Sequence, residues 1–93
     1  MNNTSRLAAL RKEVSGIDKQ ILALLGKRFK ITDQIQQIKL ALGLKITQQK
    51  RENELLNKYI RLAVRKKLNP TMIRKLFTMV FSYSKKSVII KGK

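Results

Sequence analysis

Cysteine, histidine and tryptophan are absent from this chain of 93 residues, proline occurs once, and acidic residues number only five. Without cysteine, neither a disulfide nor a thiolate metal site can staple the fold. Without histidine, the commonest metal ligand and the commonest general base at neutral pH are both missing. The sequence therefore presents no nucleophile–base pair, no metal-ligating cluster and no evident carboxylate dyad. Its longest unbroken apolar run, Ile21 to Leu25, is far too short to cross a membrane. The first residues, MNNTSRLAALRKEV, have no apolar core of the kind a signal peptide needs, so the expected location is cytoplasmic. What remains is binding, or a reaction that needs only orientation and electrostatic stabilisation.

The dominant positive feature is charge. The net charge is +17, with nine Lys/Arg against three acids in residues 1–46 and thirteen against two in residues 47–93. Such a field draws in anions of any kind, whether nucleic acid, acidic membrane or a small dianion. Charge alone does not choose among them.

Hydrophobic periodicity predicts an all-α chain forming one domain over residues 1–93. Leu7, Leu10, Val14, Ile17, Ile21 and Leu24, then Ile31, Ile35, Ile38 and Leu42, follow alternating steps of three and four. With Ser5 as N-cap and Gly43 as the residue that stops it, this helix would be about 57 Å long. A compact domain of this size has a radius of gyration of only about 12–13 Å, so two short helices cannot cover the seam. A second copy is expected to do so, giving an intertwined homodimer. Gly16 and Gly26 interrupt the helix at a cost of about 1 kcal/mol each relative to Ala, which close helix–helix approach would explain. A second helix is expected over about 47–67, with Leu55, Leu56, Tyr59, Ile60 and Ala63 as its apolar stripe. Asn69-Pro70 marks the start of a third, carrying Ile73, Leu76, Phe77, Val80 and Phe81. Residues 89–93 read as a frayed tail.

Arg28 violates the seam, falling between Leu24 and Ile31 where an apolar residue belongs. A buried guanidinium is costly unless paired, and a lone one ordinarily snorkels outward. Arg28 is not alone. Lys39, eleven residues on, lies about 20° off the same face and about 16 Å further along. Arg11, seventeen residues before Arg28, lies about 25 Å away, beyond the reach of one small ligand within a single chain. In an antiparallel pairing, Arg11 of one chain approaches Arg28 and Lys39 of the other, making two polycationic pockets. Gln48, Arg51 and Glu52 share a face of the second helix, where a solvated surface pair is the ordinary reading. Ser84 and Val88 continue the stripe of the third, where a serine is usually just tolerated.

These residues together resemble the all-helical AroQ-class (type II) chorismate mutases, from about Leu7 to Val88. The segments that carry the likeness are LAALRKEVSGIDKQILALLGKR, the lysine of IKLALGL, KRENELL and IRKLFTMVFSYS. The resemblance implies a dimer with two sites that rearranges chorismate to prephenate in aromatic amino-acid biosynthesis, with no cofactor and no metal. It implies that Arg11, donated by the partner chain, and Arg28 clamp the substrate carboxylates. Lys39 would contact a carboxylate and the ether oxygen, where negative charge builds as the bond breaks. Gln48, Arg51, Glu52, Ser84 and position 88 would line the pocket, with Glu52 near the substrate hydroxyl. Two positions depart from the family pattern. Gln48 stands where an acid is frequent and can still hydrogen-bond a hydroxyl. Val88 stands where a Gln or Glu usually gives the ether oxygen a second hydrogen bond, and losing one such donor typically costs about 10²–10³ in rate. A slow enzyme is expected unless Ser84, Lys85 or Ser87 supplies the donor.

Other readings stay open from sequence. A lyase that removes pyruvate from isochorismate would use the same scaffold and similar cations. A weakly active mutase would need a shikimate-pathway enzyme as partner. A basic nucleic-acid-binding helical dimer suits the charge, but no nucleic-acid motif is present and the aromatics fall on or beside apolar stripes.

Overall fold

Forty residues form the first helix, α1 (Asn3–Leu42), in a computed structural model that describes residues 2–86. Its start differs from expectation. Asn2, not Ser5, is the N-cap, and its side chain accepts a hydrogen bond from the Ser5 amide at 2.8 Å. The end is as the sequence indicates: Gly43 takes the left-handed conformation at φ 70°, and the amides of Gly43 and Leu44 close on the Leu40 and Lys39 carbonyls. A residue with a Cβ would be strained there.

The second helix, α2, spans Gln49–Arg65, two residues shorter at each end than the periodicity suggested. Gln48 precedes it without a capping side-chain bond, and Thr47 stays outside. At the far end Lys67 adopts φ 61°, and the Leu68 amide reaches back to the Ala63 carbonyl at 2.9 Å. That left-handed turn unwinds Lys66 and Lys67 from the helix and redirects the chain toward α3 (Pro70–Ser84). Asn69 caps α3 as expected, accepting from the amides of Thr71 and Met72 at 2.8 and 3.1 Å, with Pro70 in the first turn. The described residues contain three helices and no strand, so the all-α expectation holds for them. No helix among them is long and apolar enough to cross a membrane.

The core lies between α2 and α3. Ala63, Ile73, Val80 and Phe81 are buried, and the rings of Tyr59, Phe77 and Phe81 pack at centroid separations of 4.8 to 6.3 Å. Tilted aromatic contacts of this kind add to simple area burial. The long helix contributes little to this core. None of its residues is buried, and every residue from Asn2 to Leu24 is exposed. The ten seam residues from Leu7 to Leu42 remain 43–67% exposed. The chain is correspondingly extended, with a radius of gyration of 17.5 Å and a longest dimension of 61 Å. A Cβ added at Gly16 or Gly26 would meet nothing within 4 Å, so no close approach among the described residues accounts for either glycine.

Candidate functional site

The C-terminal half of α1 is where the three helices converge. Arg28, Thr32, Gln36 and Lys39 recur at intervals of three or four along one helix face. That face looks into a cavity of about 280 Å³ whose other walls are the α1–α2 connection, the first turns of α2 and the end of α3. Of the candidates named from sequence, Arg28, Lys39, Gln48, Arg51, Glu52 and Ser84 all line it. Arg11 does not; it is exposed on the projecting half of α1. Val88 and Ser87, with the tail 89–93, lie outside the described residues.

Arg28, Lys39, Glu52 and Ser84 each have an identifiable partner. The Arg28 guanidinium donates from Nη1 to Ser84 Oγ at 2.7 Å and lies over the Phe81 ring, 5.5 Å from its centroid. Ser84 is 7% exposed, and its hydroxyl donates in turn to the Val80 carbonyl at 2.7 Å. Arg28 is thus neither snorkelling outward nor paired with an acid. A charge-assisted hydrogen bond and an aromatic face hold it at the cavity wall. The Lys39 ammonium donates to the Ile46 carbonyl at 3.2 Å. An ammonium carries three N–H donors, so two remain for a ligand.

Glu52 does not pair with its neighbour Arg51 in the way a surface reading would suggest. Its Oε1 receives the Lys85 ammonium at 3.0 Å, with the two side chains 19% and 28% exposed. Its Oε2 is buried with no partner among the described residues. Lys85, considered from sequence as a stand-in donor, is therefore engaged with Glu52. The cavity wall carries four cations, Arg28, Lys39, Arg51 and Lys85, against the single carboxylate of Glu52. An anionic ligand with one hydroxyl to place suits that balance, because unpaired cations enclosed at short range favour negative charge strongly.

Sequence reasoning missed Gln36. Its amide Nε2 donates to the Ser84 carbonyl at 3.3 Å, and its Oε1 is buried without a partner among the described residues. The available signal was its helical register, three residues before Lys39 and eight after Arg28.

The family model for chorismate mutase type II matches residues 10–88. The bifunctional chorismate mutase/prephenate dehydratase of Enterobacter agglomerans is 36% identical over 84 residues, covering 90% of this chain and 22% of that protein. The protein of the same name from Buchnera aphidicola subsp. Schizaphis graminum is 33% identical over the same length, with the same shares covered. The chain spans about a fifth of the length of these curated relatives, since 22% of each is matched. The matched stretch takes in α1 from residue 10 onward and all of α2 and α3, and the cationic cavity is built from those helices and the turns beside them. The chain belongs to the chorismate mutase type II family.

Proposed function

We propose that this chain, paired with a second copy of itself, converts chorismate to prephenate by intramolecular rearrangement. The observation that carries the reading is the cavity in which Arg28, Lys39, Arg51, Glu52 and Ser84, drawn from three helices, meet in a chain of this family. Arg28, immobilised by Ser84 and Phe81, takes one substrate carboxylate. Lys39, with two free N–H donors, takes the ether oxygen as it becomes negative. Glu52, with Oε1 held by Lys85, is set to accept from the substrate hydroxyl. The reaction is concerted, so the residues need only hold the substrate in its reactive conformation and stabilise charge where it grows.

The reading assigns Arg11 to the partner's cavity. Within one chain Arg11 is about 25 Å from Arg28 along α1, and the half-helix that carries it touches no other helix closely enough to bury a residue. An antiparallel second copy laid along the exposed seam brings Arg11 to the other chain's Arg28 and covers Leu7 to Leu42 at once.

The test is a direct assay following loss of chorismate and appearance of prephenate, with isochorismate offered in parallel. Arg11→Ala and Arg28→Ala proteins are each expected to be nearly inactive, and their mixture to recover activity, because one site in each mixed dimer keeps both arginines. Pyruvate release from isochorismate with no prephenate formed would replace the mutase by the lyase. No recovery after verified subunit exchange would remove Arg11 from the partner's site.

A further inference from the structure

We propose that Gln36 contacts the substrate in this cavity, its amide N–H donating, beside Lys39, to the ether oxygen as that oxygen becomes negative. The inference deepens the mutase reading and rests on it. Three observations lead to it.

The first is the direction of the amide. Gln36 Nε2 lies 3.3 Å from the Ser84 carbonyl, an acceptor. Rotating the amide by half a turn would set Gln36 Oε1 against that carbonyl, two acceptors face to face. The assignment is therefore fixed by the backbone of α3 rather than chosen. Nitrogen carries two hydrogens, and the Ser84 carbonyl uses one. The second is uncommitted on a side chain that lines the cavity.

The second observation is the cost of having glutamine there. Gln36 Oε1 is buried and has no hydrogen-bond partner among the described residues. A buried acceptor without a donor destabilises a fold, and an apolar side chain of similar size would fill the position without that cost. Packing does not explain the residue. A role in the site does, since Gln36 is three residues from Lys39 on one helix face, where side chains are neighbours.

The third is the commitment of the other neutral donors. The Ser84 hydroxyl gives its hydrogen to the Val80 carbonyl at 2.7 Å. Thr32 gives its hydrogen to the Phe29 carbonyl, within its own helix, at 3.2 Å. Gln48 stands exposed at the start of α2. Val88 has no donor to give. Gln36 is the neutral donor that is both anchored and uncommitted among the described residues of the cavity. Its anchor, Ser84, is the same residue that fixes Arg28, so one residue of α3 sets two α1 side chains at once.

The experiment is steady-state kinetics on chorismate for wild type, Gln36→Leu, Gln36→Ala, Val88→Gln and the double variant Gln36→Leu/Val88→Gln, each checked by circular dichroism and thermal unfolding. Gln36→Leu keeps the side-chain volume and removes the donor, so the fold should hold. Its kcat should fall by about 10²-fold, with KM changed less than about threefold, the pattern of a bond made only in the transition state. Val88→Gln should restore at least about tenfold of that loss in the Gln36→Leu background and add little to wild type. Gln37→Ala, on an exposed neighbour whose amide reaches only Asp33, should leave kcat unchanged. An active wild type with Gln36→Leu unaltered in kcat, or altered in KM alone, overturns the assignment and leaves the mutase reading standing. If Gln36→Leu unfolds, Gln36→Ala decides by the same criteria, and unfolding of both would make the residue structural and overturn the assignment. A folded wild-type dimer that does not turn over chorismate overturns both readings.

Discussion

Replacing Ser84 by alanine should slow the proposed reaction while leaving the fold in place, and the reason lies in how that hydroxyl is spent. The Ser84 hydroxyl accepts from Arg28 Nη1 at 2.7 Å and donates to the Val80 carbonyl at 2.7 Å. Neither bond leaves the hydroxyl's own hydrogen for a ligand. In the proposed site Ser84 therefore works by holding Arg28. A hydrogen bond to a charged group contributes about 1.5–3 kcal/mol. Stacking on Phe81 survives the substitution and keeps part of the orientation, at a worth of about 0.5–1 kcal/mol for a partly exposed pair. The loss in transition-state binding should fall at about 1.5–2 kcal/mol, or roughly 10–30-fold in kcat/KM. Stability should fall by about 1–2.5 kcal/mol, because alanine's better helix propensity offsets only about 0.5 kcal/mol of the lost bond.

The assay is a double-mutant cycle on kcat/KM with Ser84→Ala, Arg28→Ala and the pair, the weak variants being followed at high enzyme concentration. If Ser84 acts through Arg28, the serine substitution costs its 10–30-fold in wild type and almost nothing once Arg28 is gone. An equal loss in both backgrounds would mean that Ser84 touches the substrate independently, and the reasoning from its hydrogen bonds would be refuted.

Two further outcomes follow from the same geometry. Sedimentation at micromolar concentration should give twice the 10.8 kDa chain mass, and Ile21→Glu, which puts a carboxylate into the seam, should yield unfolded chain; a folded monomer in either case would sink the shared architecture. Lys39→Ala should lower kcat more than it raises KM, because in the proposed reaction its charge is needed most when the ether oxygen turns negative; a change in KM alone would mean that Lys39 only binds.

The seam, the stop at Gly43 and the start at Asn69-Pro70 were legible in sequence because each rests on local chemistry: helical period, left-handed backbone, and a capping oxygen beside a missing amide. The errors were local competitions. Ser5 and Asn2 are both good caps, and the earlier one wins because nothing between them disfavours helix. Lys67 has no side-chain feature that announces a left-handed residue, so the end of α2 was misplaced by two positions. In the site, Arg28 and Lys39 stood out because cations on an apolar stripe need a reason. Gln36 did not, because a glutamine on a long helix reads as a solvated surface residue. The same holds for the pairing of Glu52 with Lys85. Both depend on where α3 ends against α1 and α2, and no periodicity within one helix contains that information.

The exposed half of α1 poses a physical problem that the cavity does not. From Asn3 to Leu24 every residue faces solvent, including Leu7, Leu10, Val14, Ile17 and Ile21 on one stripe. A helix of about this length is marginal in water even for favourable sequences, because nucleation is costly and each hydrogen bond repays little. Gly16 lowers its stability further, and the net charge of the chain adds self-repulsion. The arm is helical only if something covers its apolar stripe. The other described residues do not, and in the proposed dimer charge repulsion between copies must be beaten by the apolar area they share. Burying a half-exposed leucine or isoleucine contributes about 1 kcal/mol, so the ten seam positions of each chain offer a gain of the size that association needs to offset its entropy. Arg11 rides on this arm. The requirement that makes the arm fold is thus the one that, in the proposed dimer, would carry a second arginine to the partner's cavity.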